Sequence, residues 1–319
     1  MSLYINGLNT IQNNPKPQMS TTFKANPVVT TNSLERTPTI DTLVKPTQNK
    51  TKKTLLTLGA LALTGVGIFA AVKAGKAHQQ KKAIQEIEKK FADLQNDMPK
   101  VQKTFKEVFL REDLTEKEAL EMLNRYKDVE KLGITGSKEE YIKAVFKEAK
   151  RNFGFEEAKF PLIIEQNSRS IMVKGGANIY NKHVEISPKQ AIKEIQNKVH
   201  HEMRHIKQHF LAANYDEKAF RQSLINHNSS LTEGLTEREL KEIIDDTILE
   251  MKNIHGITSF TRNNIPKNHL DYARKCSEAF SKPYIDGTKD FAKYEAQWQE
   301  VDARFAGESI AKLFGLMTK

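Results

Sequence analysis

Cysteine is almost absent from this sequence, and one long segment lacks charge altogether. Of the 319 residues, Cys276 is the single cysteine, which excludes a disulfide framework and any metal site built from four thiolates. Residues 54–72 contain no ionisable side chain. Hydrophobic residues make up 38% and charged residues 28% of the chain, so a fully disordered protein is excluded as well.

Most of the chain also lacks an excess of either charge sign. The formal net charge is +10, yet residues 83–319 carry 39 basic against 38 acidic side chains. The remaining excess lies in residues 1–53 and 73–82, on either side of the uncharged segment. Positive flanks around an apolar segment are typical of membrane anchoring, whereas a nucleic-acid groove needs its basic residues on the folded domain. We therefore expect no nucleic acid among the partners.

The uncharged segment, residues 54–72, has the length of one membrane-spanning helix. A bilayer core of about 30 Å requires about 20 residues at a rise of about 1.5 Å per residue, and lysines precede and follow the segment. A buried core helix rich in alanine and glycine is the alternative. We expect a single-pass protein that enters the lipid bilayer through residues 54–72, and the positive-inside rule favours a cytoplasmic C-terminal region.

The regions on either side of this span differ in composition. Residues 1–53 contain half of the ten prolines among many Thr, Asn and Ser residues, which predicts a disordered basic tail. After the span, apolar residues alternate at spacings of three and four, the repeat of a coiled coil: Ile84, Ile87, Phe91, Leu94, Met98, Val101, Phe105 and Val108. This repeat indicates either a homodimer through residues 84–108 or two amphipathic helices that pack on their own domain.

Local signals mark where several helices begin. Pro99 lies inside the apolar repeat, where proline ends or restarts a helix. Capping boxes, in which Ser or Thr precedes Glu by three residues, predict helix starts at Thr115, Ser137 and Thr236.

Short segments rich in Ile and Val follow and predict a small antiparallel sheet. They cover residues 160–165, 170–174 and 177–186, with turns expected at Gly175-Gly176 and at residues 181–182. Ser187 and Pro188 then predict the start of another helix.

That helix carries an HExxH motif, from His201 to His205. Its apolar stripe lies on the opposite face, so we expect the two histidines to face a cleft or water. Histidines four residues apart lie one turn apart, and both imidazoles can therefore bind one Zn²⁺. Glu202 lies beside that position, where it can take a proton from a zinc-bound water. The motif predicts a catalytic zinc site, and a solvated helix face is the alternative.

The sequence around this motif resembles the zincin metallopeptidases, in particular the gluzincin-like group, whose third zinc ligand is a glutamate on a later helix. The metzincin pattern does not apply, because Gln208 and Leu211 stand at the positions of its glycine and its third histidine. The resemblance implies that Glu300, in a Glu-x-x-Ala sequence, is the third ligand. Ala303 and Gly307 share its helix face and would allow a close approach of the two helices.

Other residues near or after the motif remain candidates for supporting roles. The third ligand has as alternatives Glu295, Asp302, His227, His255 and His269. Asp302 is also a candidate acceptor for a ligand imidazole, and Tyr294, Arg304 and His269 are candidates for stabilising the transition state. The resemblance further implies that a strand at residues 178–180 or 183–186 binds substrate by strand addition.

The expected fold class is α+β, a mostly helical zincin-like domain with a small antiparallel sheet, preceded by a single transmembrane helix. We predict a tail (1–53), a transmembrane helix (54–72), a juxtamembrane helical region (73–130) and a metallopeptidase domain (131–319). The predicted function is zinc-dependent hydrolysis of protein or peptide substrates at a membrane. The alternative is a membrane-tethered helical interaction protein with a structural or degenerate metal site.

Overall fold

The computed structural model describes the chain from residue 76 onwards with several gaps. The described residues are 76–164, 175–178, 183–227, 234–283, 285 and 290–316. The predicted tail and the predicted membrane span therefore lie outside them. No helix in the described part of the chain has both the length and the apolar character that crossing a membrane requires.

The described residues are mostly helical, as expected, with one small sheet. The helices before the sheet are α1 (76–96), α2 (Met98–Phe109), α3 (Glu116–Thr135) and α4 (Lys138–Asn152). The strands are β1 (Leu162–Ile164), β2 (Gly175–Asn178) and β3 (His183–Ile186). The helices after the sheet are α5 (Ile192–Tyr215), α6 (Glu217–His227), α7 (Glu237–His255), α8 (Leu270–Phe280), α9 (Phe291–Glu295) and α10 (Trp298–Leu313).

The helix starts that depend on adjacent residues are confirmed. In α3, α4 and α7 the predicted Thr or Ser side chain accepts a hydrogen bond from the backbone of the third helical residue. The glutamate at that position bonds back to the cap in each case. Pro99 lies in the first turn of α2, where a backbone N–H makes no hydrogen bond within the helix, so its absence in proline costs nothing there.

The predicted start of the HExxH helix at Pro188 is wrong. Helix α5 begins at Ile192, and its N-cap is Ala191, which makes no side-chain cap bond. The Ser187 hydroxyl instead accepts a hydrogen bond from the Lys189 backbone, and the Ser187 carbonyl accepts one from Gln190. These bonds close a separate turn, so the backbone groups that would open a helix are already satisfied.

The sheet is mixed, and the expectation of a purely antiparallel sheet is wrong for one pairing. The strand order is β1-β3-β2. Strand β2 pairs antiparallel with β3, whereas β1 pairs parallel with β3, with Leu162 opposite Val184. Along the chain, β2 comes after β1 and before β3. Because β2 runs antiparallel to β3 and also opposite to β1, strands β1 and β3 run in the same direction. Gly175-Gly176, expected as a turn, lies within β2, and residues 170–174 lie outside the described part.

The apolar repeat at residues 84–108 packs into the core of its own chain. Phe91, Val101, Phe105 and Val108 are at most 1% exposed and belong to one hydrophobic cluster with residues of α3, α4, α5 and α10. This packing matches the interpretation as amphipathic helices on their own domain. The homodimer stays a prediction, as do the domain boundaries, although residues on both sides of position 130 share this cluster.

Helix α5 is the central element of the fold. Its first half contributes Ile195, Val199 and Met203 to the cluster just described. Its second half contributes Leu211, Ala212 and Ala213 to another cluster, built with α6, α7 and α8. Because neighbours cover α5 on several sides, polar residues in the middle of this helix are buried together with the apolar ones.

Candidate metal centre

Two histidines and one glutamate bring their ligand atoms together between α5 and α10. Nε2 of His205 lies 3.2 Å from Nε2 of His201 and 3.5 Å from Oε2 of Glu300. Nε2 of His201 lies 3.7 Å from the same oxygen. The circle through these three atoms has a radius of about 2.0 Å, close to the distance of about 2.0–2.2 Å at which zinc binds imidazole and carboxylate. The three residues can therefore bind one metal ion.

A close helix–helix approach places the glutamate opposite the histidines. A Cβ atom on Gly307 would lie 2.2 Å from Oδ1 and 2.4 Å from the backbone oxygen of Asn197. Ala303, one turn before Gly307, is fully buried. Because these small residues let α10 lie directly against α5, Glu300 in the first turn of α10 reaches the imidazoles.

The centre is nearly closed to solvent. The exposed fraction is 8% for His201, 6% for His205, 2% for Glu300 and zero for Glu202. The two motif imidazoles are thus largely shielded from bulk water, and the expected cleft in front of them stays a prediction. Helix α10 packs against that face, and burial in a medium of low dielectric strengthens every electrostatic interaction within the group.

The buried groups shift one another's pKa values in opposite directions. Burial opposes the charged form of His205, but Glu300 and Glu202 outweigh it and raise the pKa of His205 above its usual range. Burial, together with the charges of His205, Lys198 and Arg304, lowers the pKa of His201. Burial opposes the charged form of Glu300 too, but its contact with His205 lowers the pKa of the carboxyl. A metal ion that binds here must displace the proton held between these groups.

Glu202 lies in the same buried environment but is not part of the three-atom group. Its carboxylate Oε1 lies 3.7 Å from the ammonium of Lys198, one turn earlier on α5. The charge of Glu202 is among those that raise the pKa of His205. The carboxylate is therefore close enough to act electrostatically on the centre while the motif histidines supply the ligand atoms.

Asp302 does not contact either motif histidine, contrary to its proposed role as a direct acceptor. It accepts hydrogen bonds from Arg204, Tyr272 and Gln208. The acceptor for Nδ1 of His205 is Oε1 of Gln208, at 3.0 Å. In the sequence, Gln208 stands out only as a departure from the metzincin pattern. Its position three residues after His205, on the same helix face, was the signal for this contact.

The alternative third ligands that the structure describes lie in other environments. Glu295 pairs with Arg304, 3.5 Å away. His269 hydrogen-bonds through Nε2 to the carbonyl of Leu110. His255 packs against aromatic rings, with the ring centroid of Phe210 at 4.4 Å. The side chain of His227 lies outside the described residues.

The candidates for stabilising a transition state are distributed differently around the centre. The Tyr294 side chain acts on Glu300 and helps to lower the pKa of its carboxyl. The charge of Arg304 acts on His201, and its guanidinium donates to the carbonyl of Glu295 at 3.2 Å. His269, held against Leu110, is not part of the metal group. Tyr294 and Arg304 are thus the two candidates next to the centre.

Among the described strands, one of the two candidate substrate segments adjoins an edge of the sheet. Strand β3, residues 183–186, lies between β1 and β2, so both of its edges are already hydrogen-bonded. Strand β2 lies at an edge and ends at Asn178. Residues 179 and 180 lie outside the described part of the chain.

Two other histidines of α5 flank the motif and do not join the group of ligand atoms. His200 is fully buried, donates through Nδ1 to the carbonyl of Gln196 at 2.7 Å, and accepts from the Tyr126 hydroxyl at 2.7 Å. The ring of His209 lies 4.6 Å from that of Phe280. Both flanking histidines are therefore packed into the protein.

Comparisons with known proteins found no match among protein-family models, curated protein sequences or solved structures.

Proposed function

We propose that this protein is a membrane-anchored, zinc-dependent metallopeptidase of the zincin type, which hydrolyses peptide bonds in protein or peptide substrates. The observation that carries the proposal is the buried triangle of His201 Nε2, His205 Nε2 and Glu300 Oε2, with sides of 3.2–3.7 Å. Two residues of this triangle belong to an HExxH motif whose glutamate is buried beside them.

The HExxH motif and this donor set together favour zinc. Two imidazoles and one carboxylate form a ligand set of catalytic zinc sites, which keep a fourth position open. Calcium and magnesium prefer oxygen ligands alone. A zinc ion held here would supply Lewis acidity, which activates water and polarises a peptide carbonyl.

Residues of the chain would supply the proton transfer and the charges around the metal. Glu202 accepts a proton at its carboxylate and passes it on to the leaving amine, the role that this position has in HExxH peptidases. The nearby Lys198 ammonium favours the ionised form of Glu202, the form that can accept a proton. Tyr294 favours the ionised form of Glu300, and the closed surroundings exclude bulk water from these groups.

The membrane part of the proposal depends on the sequence alone. The uncharged segment with lysines on both sides supports an anchor at residues 54–72, with the catalytic region on the cytoplasmic side. The interaction-protein alternative was motivated by the repeat at residues 84–108. Its central side chains are buried in the chain's own core, so no observation favours that alternative over the peptidase.

The proposal is tested with the purified full chain, by metal analysis and by cleavage of a mixed quenched-fluorescent peptide library. We expect one zinc per chain and peptide cleavage that a chelator stops. Glu202→Gln should retain zinc but lose roughly 10²–10⁴-fold in rate, the usual contribution of a general base. Glu194→Gln, on the same helix, is the matched control and should cleave normally. A wild-type chain without stoichiometric zinc, or a Glu202→Gln variant with normal activity, contradicts the proposal.

A further inference from the structure

We infer that Gln208 is a positioning residue of the metal centre, whose side-chain amide fixes the ring orientation and tautomer of His205. Asp302, with Arg204 and Tyr272, holds that amide in place. The inference rests on the proposed function, because the orientation of the His205 ring affects metal affinity only if this ring binds a metal. It assigns a role to residues that supply no ligand atom to the metal group.

The hydrogen bonds of Gln208 allow its amide only one orientation. Nε2 of Gln208 lies 3.1 Å from the backbone carbonyl of Gln299 and 2.7 Å from Oδ2 of Asp302. A backbone carbonyl and an ionised carboxylate can only accept, so both hydrogens of the Gln208 NH₂ group are committed to these two oxygens. The amide oxygen therefore faces His205, whose Nδ1 lies 3.0 Å away.

The orientation of the amide then determines where His205 carries its proton. Since Oε1 of Gln208 can only accept, Nδ1 of His205 must be the donor. In the neutral ring this leaves the lone pair on Nε2, the atom that faces His201 and Glu300. A metal-binding histidine usually donates its other N–H to a carboxylate, a carbonyl or water. Here the neutral amide of Gln208 accepts from His205, and the carboxylate of Asp302 in turn accepts from that amide.

Asp302 is itself held by three donors from two other elements. Arg204 binds it through two hydrogen bonds, of 2.7 Å and 2.9 Å, and the Tyr272 hydroxyl donates at 2.5 Å. Arg204 also donates to the carbonyl of Val108 at 2.7 Å. The network thus connects α2, α5, α8 and α10, and Arg204 compensates the charge of Asp302. His205 is oriented by this network while the carboxylate charge stays paired with the guanidinium.

The expected consequence is a metal affinity that depends on a residue with no ligand atom. Replacing groups that orient a metal ligand typically weakens metal binding by about 10–100-fold. Gln208→Met keeps the length of the side chain but removes its acceptor and both donors. We therefore expect this variant to bind zinc about 10–100-fold more weakly than the wild-type chain. We also expect the visible absorption spectrum of its Co²⁺ form to change, because the His205 ring is free to reorient.

Asn214→Leu is the matched control for the loss of a buried amide from the same helix. Asn214 is 2% exposed and hydrogen-bonds to the Phe210 carbonyl, the Thr261 backbone N–H and the Asn264 side chain. It has no contact with the metal group. Both variants should lower the melting temperature of the chelator-treated protein, but only Gln208→Met should change zinc affinity and the Co²⁺ spectrum.

The experiment measures zinc affinity of the full chain by competition with a chromophoric chelator. Wild-type affinity in Gln208→Met, or an equal loss in Asn214→Leu, overturns the inference while leaving the peptidase proposal intact. A wild-type chain that takes up no zinc overturns the proposed function itself. If Gln208→Met does not fold, Gln208→Asn keeps a polar amide too short to span His205 and Asp302. It should also bind zinc more weakly, and an unchanged affinity counts against the inference.

Discussion

Helix α5 holds buried histidines in two neighbouring environments, one in which protein groups bond to both ring nitrogens and one whose ring nitrogens belong to a group that could hold a metal ion. His200 has a protein partner for each ring nitrogen, the carbonyl of Gln196 and the hydroxyl of Tyr126. In the adjacent group, the Nε2 atoms of His201 and His205 face each other and a carboxylate oxygen. These three atoms can all act as acceptors, so a shared proton or metal ion is needed to hold them together.

The pKa values of His200 and His205 are shifted in opposite directions. No carboxylate opposes the burial of His200, and burial lowers its pKa to about 4. Around His205, two carboxylates outweigh burial and raise the pKa. Burial alone therefore does not indicate a metal ligand. The distinguishing feature is the partner of Nε2, which is a hydroxyl for His200 and another imidazole and a carboxylate for His205.

The largest expected effect separates the two environments by substitution. His205→Ala should abolish stoichiometric zinc binding, because it removes one of three ligands. His200→Ala should retain zinc but lower the free energy of unfolding of the metal-free protein by about 2–4 kcal/mol, through a cavity and a broken buried hydrogen-bond chain. Zinc content and urea unfolding of both variants check this. Loss of zinc in His200→Ala alone would reverse the assignment.

The next prediction concerns the carboxylate that distinguishes the two environments. Glu300→Gln keeps the shape of the side chain but removes its charge, so zinc affinity should fall by at least about 10-fold. Without that carboxylate, the pKa of His205 should move towards that of an ordinary buried histidine. Glu308→Gln on the same helix, whose carboxylate pairs with Lys312 at the surface, is the control. Chelator competition on both variants measures the difference, and equal affinities would contradict the assignment of Glu300.

A smaller effect is expected from the contact that brings the carboxylate to the histidines. Gly307→Ala places a methyl group against the backbone of Asn197, so α10 must shift away from α5. We expect a loss of about 1–3 kcal/mol in the free energy of unfolding together with weaker zinc binding. Ser309→Ala, two residues later, should change stability by less than about 0.5 kcal/mol. A Gly307→Ala variant with wild-type stability would show that the helices are not in close contact.

The last prediction concerns a structural histidine further along the chain, and its readout is a pH dependence and not zinc binding. His255 lies among the rings of Phe155, Phe160 and Phe210, and burial followed by the charge of Lys207 lowers its pKa to about 3. Between that pKa and the value of about 6.5 in the unfolded chain, the unfolded state binds more protons. Stability should therefore fall as pH decreases through this window.

The pH prediction is checked by urea unfolding of the metal-free protein at pH 7, 5 and 4. His255→Phe should lose stability less steeply over this range than the wild-type chain. The slope that remains in this variant comes from other groups, His200 among them. An identical slope in both proteins would mean that His255 is protonated to the same extent in the folded and unfolded states.

Features that depend on adjacent residues were predictable. The capping boxes at Thr115, Ser137 and Thr236 involve residues three apart, so the pattern determines the contact directly. The proximity of His201 and His205 follows from their spacing on a helix in the same way. The restart of the helix at Pro99 follows from the missing N–H of proline.

Features that depend on distant residues were only partly predictable. The parallel pairing of β1 with β3 was not foreseen, because it depends on how the chain passes through β2. The start of α5 was placed too early, because Ser187 and Gln190 have a competing local turn. Glu300 was found through a family resemblance and not through any spacing. Gln208 was missed because its role exists only when Asp302 of α10 lies beside it.

The sequence by itself determined the local units of this protein: which helices start where, which face of α5 carries two imidazoles, and where the excess charge lies. The helix starts and the histidine face follow from residues within about one or two helical turns of one another, and the charge distribution follows from residue types along the chain. The tertiary structure decided that α10 covers the histidine face, that Glu300 completes the group of possible ligand atoms, and that Asp302 holds the amide of Gln208 beside His205. These contacts join residues about a hundred positions apart, and their geometry is set by the packing of whole helices, which small residues such as Gly307 allow to approach closely.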